Sequence, residues 1–325
     1  MTLACGDYDR TSGLSGARSE DGLALRVLRL PPEEIFHRML RYREFDAAEM
    51  SLSSYVASLD GPAGGELVAI AVFPSRAFRH GSIFVNRDRG VARPCDLIGA
   101  RVGVPEYEMT AAVWIRGILS DHFGVPVNAP HYLTGGLEEP GRTAKSALRL
   151  PPGVDVQQIP PGDSLNRMLA EGEIDALHTA RAPSAFVAGD PRVARLFPDY
   201  AEQEKRYFAD TGIFPIMHTV VLRRDVYERD RWLARELTKL FERARDRAVE
   251  RLRATVALSV TLPWLPQHVE ETTELMGEQL WPYGIEPNRP TLTRFLRYAR
   301  EQGITDATLS PEDLFAPETL TSAKV

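Results

Sequence analysis

Short apolar runs alternate with stretches of helical periodicity along almost the whole chain, and that alternation restricts the open folds more than any other feature. Apolar strands separated by amphipathic helices form βαβ units, so the expected product is α/β, with mostly parallel sheets flanked by helices. Leu23–Leu30, Leu67–Phe73, Ile83–Val85 and Val102–Val104 read as strands. Between the first two, Pro32 and Glu33 open a segment that sets Ile35, Phe36, Met39 and Leu40 on one helical face. A second set of units follows Gly103, with a helix from about Met109 to His122 closed by Gly124. Asp163 or Ser164 caps the next helix, Gly172 ends it, and Ile174–Leu177 returns as a strand. Further on, Thr219–Leu222 is a strand and apolar positions from Trp232 to Leu252 mark one face of a long helix. Gly and Pro gather between Thr134 and Pro161, which suggests long loops. The tail from Asn288 carries a helix over Leu292–Arg300 and is expected to wrap the first lobe.

At 325 residues the chain exceeds what one core usually supports, so two lobes are expected. A net charge of −6 gives no affinity for polyanions, which removes nucleic acid as a partner. The start, MTLACGDYDR, has no export signal, and no run approaches the roughly 20 apolar residues of a membrane span. A cytoplasmic protein with no membrane partner is therefore expected. Cys5 and Cys95 are too few for a disulfide framework, and both are read as reduced and buried. Phosphate loops, dinucleotide fingerprints, His-Glu-x-x-His and Gly-x-Ser-x-Gly are all absent. The chemistry is thus expected to use side chains alone, with no cofactor. A divalent metal held by scattered ligands, such as His80, His218 and Glu49, is left open without any short ligand spacing in its favour.

Seven stretches carry a resemblance: ACGDYDRT (4–11), REFDAAEMSLSSYV (43–56), VFPSRAFRHGSIFVN (72–86), DLIGARVGVPEYEMTAAVWIRGIL (96–119), GEIDALHTARAPSAF (172–186), TGIFPIMHTVVLRRDVYE (211–228) and WPYGIEPNRPTLTRFLRYAREQG (281–303). Together they resemble the 4,5-dihydroxyphthalate decarboxylase family over nearly the whole chain. The resemblance implies a two-lobed type-2 periplasmic-binding-protein-like fold. A first lobe of residues 1–102 with 214–325 and an inserted second lobe of 103–213 would cross near Arg101 and Ile213 around a ligand cleft. It also implies decarboxylation of 4,5-dihydroxyphthalate to 3,4-dihydroxybenzoate and carbon dioxide by protonation of a ring carbon in that cleft. Two other functions suit the same features. One is a solute-binding protein delivering an aromatic acid or heterocyclic precursor to a transporter, and the other is a decarboxylase of another hydroxylated aromatic acid.

Ligands in doubly wound folds bind beyond the carboxyl ends of strands. Arg76 and Arg79, just past an apolar strand, are candidates to grip carboxylates through paired charge-assisted hydrogen bonds. His80 and His218 are candidates for proton transfer, and Glu49 or Glu106 for the phenol. Asp7, Tyr8, Arg10, Glu49, Ser51 and Ser53 are expected first-lobe contacts, although Glu49 reads equally well as a buried partner of Arg10 or Arg76. Tyr107 and Thr110 lie at a strand-to-helix turn suited to an anion, with Thr110 alternatively the helix cap. His178 and Arg181 end another strand, and Phe73, Phe78, Trp114 and Phe214 are candidate apolar walls. The expected partner is a small aromatic acid. A homo-oligomer suits a cytoplasmic enzyme but has no specific sequence signal.

Overall fold

The computed structural model describes residues 1–60, 65–142 and 149–320. Within them eleven strands alternate with helices: β1 Thr2–Cys5, β2 Arg26–Arg29, β3 Ala47–Ser51, β4 Leu67–Arg76, β5 Ile83–Asn86, β6 Arg101–Val104, β7 His131–Thr134, β8 Asp155–Gln158, β9 Ala176–His178, β10 Val193–Arg195 and β11 Ile216–Arg223. They form two sheets, ordered β2-β1-β3-β11-β4 and β10-β5-β9-β6-β7-β8. The first sheet belongs to a unit built from Met1–Arg76, Thr211–Thr293 and the segment from Leu309 onward, and the second to a unit of Ala77–Asp210 and Arg294–Thr308.

Each sheet holds one reversed strand. In the first, β11 runs antiparallel to both β3 and β4, while β1 pairs in parallel with β2 and β3. In the second, β5 is antiparallel to β9 and β10, and the remaining pairs are parallel. Both reversed strands are the first ones formed after the chain changes units. Reversal brings the beginning of β11 to the carboxyl ends of β3 and β4, so His218 lies opposite Ser51.

The first division falls elsewhere than at the expected residue 102, while the second, at Thr211, lies within three residues of the expected 214. Because β5 is hydrogen-bonded between β9 and β10, the chain enters the second unit right after Arg76. The expectation that the tail wraps the first lobe fits its two ends but not its middle, since residues 294–308 belong to the second unit. There Phe295 and Tyr298 pack on Trp114, with ring centroids 5.6 and 5.7 Å away.

Local signals are matched closely elsewhere. The helix Pro32–Tyr42 buries Ile35, Phe36 and Met39, as an apolar stripe requires. The helix Thr110–Phe123 ends at Gly124, whose φ of +66° is cheap only for glycine. Its cap position is Met109, so Thr110 is the first helical residue rather than the cap. Ser164, not Asp163, caps Leu165–Ala170. The Gly- and Pro-rich stretch expected to form loops contains β8, and residues 143–148 within it lie outside the described residues. Trp232, placed on the buried face of the helix Trp232–Arg253, is exposed, and so is Cys95; Cys5 is buried as expected. No helix among the described residues is long and apolar enough to cross a membrane.

Gly117 is where the helix Thr110–Phe123 meets Tyr298 most closely, since a Cβ there would fall 2.2 Å from the ring. Gly117→Ala is expected to overpack this contact and lower stability by about 1–3 kcal/mol. An unchanged denaturant midpoint would contradict the packing described.

Candidate active site

The first unit gathers its chemistry at the carboxyl edge of the sheet. Glu49, central in β3, is fully buried. Its Oε2 accepts the Gly6 backbone N–H at 2.8 Å, and its Oε1 accepts the Tyr8 hydroxyl at 2.9 Å. The same Oε1 lies 2.5 Å from His218 Nδ1. Burial by itself pushes the Glu49 carboxyl up, but the hydrogen bond and charge of His218, with the Gly6 and Tyr8 donors, hold it below its usual value. The carboxylate is thus ionised and only accepts hydrogen bonds, so Nδ1 of His218 carries the proton and Nε2 remains for exchange. Tyr8 stays protonated because burial, then the Glu49 charge and hydrogen bond, raise its phenol far above the ordinary value.

Local sequence explains the arrangement. Gly6 follows β1 and must lack a side chain, because a Cβ would come within 2.4 Å of the Tyr8 ring. The pairing of β11 with β4 shifts register on both sides of His218, an irregularity of the kind that re-aims side chains near sites. Pro74, without an N–H to give the ladder, lies in the shifted stretch of β4. Its carbonyl accepts from Arg10 Nε at 2.5 Å. The Arg10 guanidinium is stacked between the Tyr8 and Trp281 rings, 4.3 and 4.2 Å from their centroids. Its Nη1 bonds Asp9, and its Nη2 takes no part in these contacts. Phe36 meets the His218 ring edge-on and Phe214 meets Trp281 likewise, giving the site apolar walls.

Several expected roles change here. Arg76 does not present its guanidinium to a ligand: it donates to the carbonyls of Phe214 and Pro282 and to Asn288 Oδ1, leaving only Nε, which is buried without a partner. Burial lowers it to about 9. Glu49 is paired with His218, not with Arg10 or Arg76 as weighed above. Ser51 caps the helix Leu52–Leu59 by accepting the Ser54 N–H at 3.3 Å, and Asp7 is exposed, 3.9 Å from Arg29. Phe73 is core, against Phe315. Burial above all raises the Cys5 thiol to about 12, so it stays protonated near neutral pH.

The second unit holds the other candidates. His80 sits among the rings of Phe123, Phe197 and Tyr207, and burial, then the charge of His122, lowers it to about 4. It is therefore neutral at pH 7. Arg79 is half-buried, and desolvation lowers it to about 10, with Glu204 opposing that effect. Glu106 Oε1 accepts from Arg142 at 2.9 and 2.5 Å, an ion pair instead of a free base. His178 ends β9 but is wholly buried, both ring nitrogens lack a partner, and burial followed by Arg116 lowers it to about 3. Arg181 is exposed, Thr110 is buried at the helix start, and Phe78 packs on Phe208. Trp114 is core.

Arg116 points inward, its Nε bonded to Gln302 at 2.7 Å and its Nη2 to the Tyr107 carbonyl at 2.6 Å. Its guanidinium lies 3.8 Å over the Tyr107 ring, while its Nη1 and the Tyr107 hydroxyl are buried without partners. Sequence reasoning gave no role to Trp281, Asn288 or Gln302, whose partners are distant in sequence. Tyr8 was among the expected first-lobe contacts by its position after the first strand, but its hydrogen bond to Glu49 was not expected. No group of three or more His, Cys, Asp or Glu able to hold a metal ion occurs among the described residues.

No family model matches the chain. Among solved structures, a Candida albicans protein described as having the generic periplasmic binding protein fold aligns with 95% of this chain and 92% of its own, at a TM-score of 0.52 and 10% identity. That likeness defines the fold class: a periplasmic-binding-protein-like α/β protein. A curated 4,5-dihydroxyphthalate decarboxylase from Comamonas testosteroni is 40% identical over 327 residues, covering 100% of this chain and 98% of the relative. A second, from Pseudomonas putida, is 43% identical over 61% of this chain and 77% of the relative. The chain belongs to the 4,5-dihydroxyphthalate decarboxylase family.

The neutral histidines make stability depend on pH. His178 titrates near about 3 when folded, against roughly 6.5 when unfolded. Its contribution is complete above about pH 6.5 and is lost as pH falls toward 3, at about 1.4 kcal/mol per pH unit for one proton. His178→Leu is expected to reduce the proton uptake on unfolding near pH 5 by about one, whatever its effect on stability itself. An unaltered slope would show that His178 is not buried as a neutral group.

Proposed function

We propose that this protein converts 4,5-dihydroxyphthalate to 3,4-dihydroxybenzoate and carbon dioxide, with His218, held by Glu49, moving the proton. The observation that carries this reading is the imidazole locked by a buried carboxylate in a chain so closely related to proteins named for this reaction. Arg10, through its remaining Nη2, is the group suited to grip a carboxylate, and Trp281, Phe214 and Phe36 suit an aromatic ring.

The chemistry follows from the substrate. A carboxylate leaves an aromatic ring only when the carbon beneath it takes a proton, because a bare aryl anion is too high in energy. Release of the proton of the hydroxyl para to that carbon to water pushes an electron pair into the ring, and the carbon then accepts the proton from Nε2 of the His218 imidazolium. The bond to the carboxylate breaks, its electron pair restores the aromatic ring as a phenolate, and carbon dioxide departs. The phenolate and His218 regain protons from water, so one proton is consumed per turnover. Glu49 stabilises the imidazolium and fixes its orientation throughout.

Incubation of the purified protein with 4,5-dihydroxyphthalate, with and without a chelator, tests the reading. Equal release of carbon dioxide and 3,4-dihydroxybenzoate is expected, whereas saturable binding without turnover would favour the solute-binding function. A rate abolished by the chelator would give a metal the role assigned to side chains.

His218→Asn and Glu49→Gln are each expected to lower kcat by about 100-fold or more with little change in KM. His80→Asn is expected to leave kcat within a few-fold of the unaltered protein. Near-normal turnover by the His218 variant would overturn the assignment.

A further inference from the structure

Two donors converge on one oxygen of Glu49. Its Oε1 takes the His218 ring at 2.5 Å and the Tyr8 hydroxyl at 2.9 Å, while Oε2 is filled by the Gly6 N–H at 2.8 Å. Proton transfer by His218 accounts for the first bond but not for the second. A hydrogen bond that stabilises the Glu49 anion leaves less of its charge to stabilise an imidazolium on the same atom. The carboxyl feels all of these partners: burial raises it, and His218, Gly6 and Tyr8 lower it.

The loop after β1 holds the Tyr8 hydroxyl where it is. The Tyr8 backbone N–H bonds Thr11 Oγ1 at 3.1 Å, and that hydroxyl donates to the Gly6 carbonyl at 2.9 Å. The ring passes over Gly6 on one side and carries the Arg10 guanidinium, 4.3 Å from its centroid. Burial, then the Glu49 charge and hydrogen bond, raise the phenol far above its ordinary value. Tyr8 therefore donates to Oε1 at every working pH, as a fixed dipole and not as a second titrating group.

The remaining groups around the pair leave this balance to Tyr8. On β3 and β4 His218 faces the neutral Ser51 and Ser75, and Arg76 turns to Phe214, Pro282 and Asn288. The helix Pro32–Tyr42 offers Phe36 to the ring, and its His37 is exposed beside Tyr42. In the loop after β1, Asp7 is exposed near Arg29, and Arg10 lies on the Tyr8 and Trp281 rings. Burial chiefly keeps the Cys5 thiol and the Tyr283 phenol protonated. An imidazolium tied to an undivided carboxylate grips its proton too firmly, whereas a good proton donor titrates near the working pH.

We propose that Tyr8 is a positioning residue for proton transfer: by sharing Glu49 Oε1 with His218, it keeps the imidazolium acidic enough to protonate the ring carbon of the substrate. This rests on the reading of His218 as the proton donor.

Tyr8→Phe keeps the ring under Arg10 and removes only the hydroxyl. In ¹⁵N spectra of the full chain without substrate, it is expected to raise the His218 titration midpoint by about one pH unit. With 4,5-dihydroxyphthalate, kcat is expected to fall roughly threefold with little change in KM, because a weaker acid gives up its proton more slowly. Tyr8→3-fluorotyrosine, a stronger donor of nearly the same shape, is expected to move the midpoint the other way, and it guards against a folding defect in the first variant. Added to Glu49→Gln, Tyr8→Phe is expected to leave the midpoint unmoved, since the shared charge is gone. A midpoint unmoved by both Tyr8 variants, or moved by both in one direction, would overturn the proposal, as would a full shift in the Glu49→Gln background. Absence of turnover by the unaltered protein would overturn the decarboxylase reading instead, and the titration, read without substrate, would still decide whether Tyr8 governs His218.

Discussion

A single buried carboxylate organises the first unit. Glu49 has no exposed surface, and an ion so placed is tolerable only when its oxygens are filled by donors. Those three donors come from two parts of the chain: the Gly6 N–H and the Tyr8 hydroxyl in the loop after β1, and His218 at the start of β11. Satisfying Glu49 therefore fixes the loop after β1, the aim of Tyr8 and the tautomer of His218 together. Arg10 then follows, because its guanidinium rests on the Tyr8 ring that Glu49 has oriented.

The topology makes that convergence available. In a wholly parallel sheet every strand would begin at the opposite edge from the loops that carry chemistry. Reversing β11 sends the start of one strand to the edge where β1, β3 and β4 end, so a side chain on regular structure joins residues on loops. Strand backbone positions a catalytic group more rigidly than a loop does, and the register shift around His218 sets its direction. The same reversal in the second sheet involves β5, so the two units share a construction rule even though their interiors differ.

What could be read from the sequence was what local rules govern. The helices Pro32–Tyr42 and Thr110–Phe123 announce themselves by apolar spacing and by Pro and Gly at their ends. The strand β8 and the three-residue β10 have too few apolar residues to stand out, and β8 lies in a stretch rich in Gly and Pro. The unit boundary at Arg76 depends on β5 pairing with β9 and β10, which are about a hundred residues away and leave no local trace. Arg76 looked like a ligand clamp because arginine after a strand often is one. Its acceptors, 138, 206 and 212 residues along the chain, were invisible to any local rule. His218 and Glu49 were each visible as candidates by position, but their mutual hydrogen bond, across 169 residues, was not.

The proton on His218 is where structure and chemistry meet. Multiple-bond ¹H–¹⁵N spectra of the ring, assigned by comparison with His218→Asn, report which nitrogen carries it. A ring protonated at Nδ1 throughout, with Nε2 alone gaining and losing its proton as pH changes, is the predicted result. A neutral ring protonated at Nε2 would mean that Glu49 does not hold the imidazole, and would contradict the mechanism built on that bond.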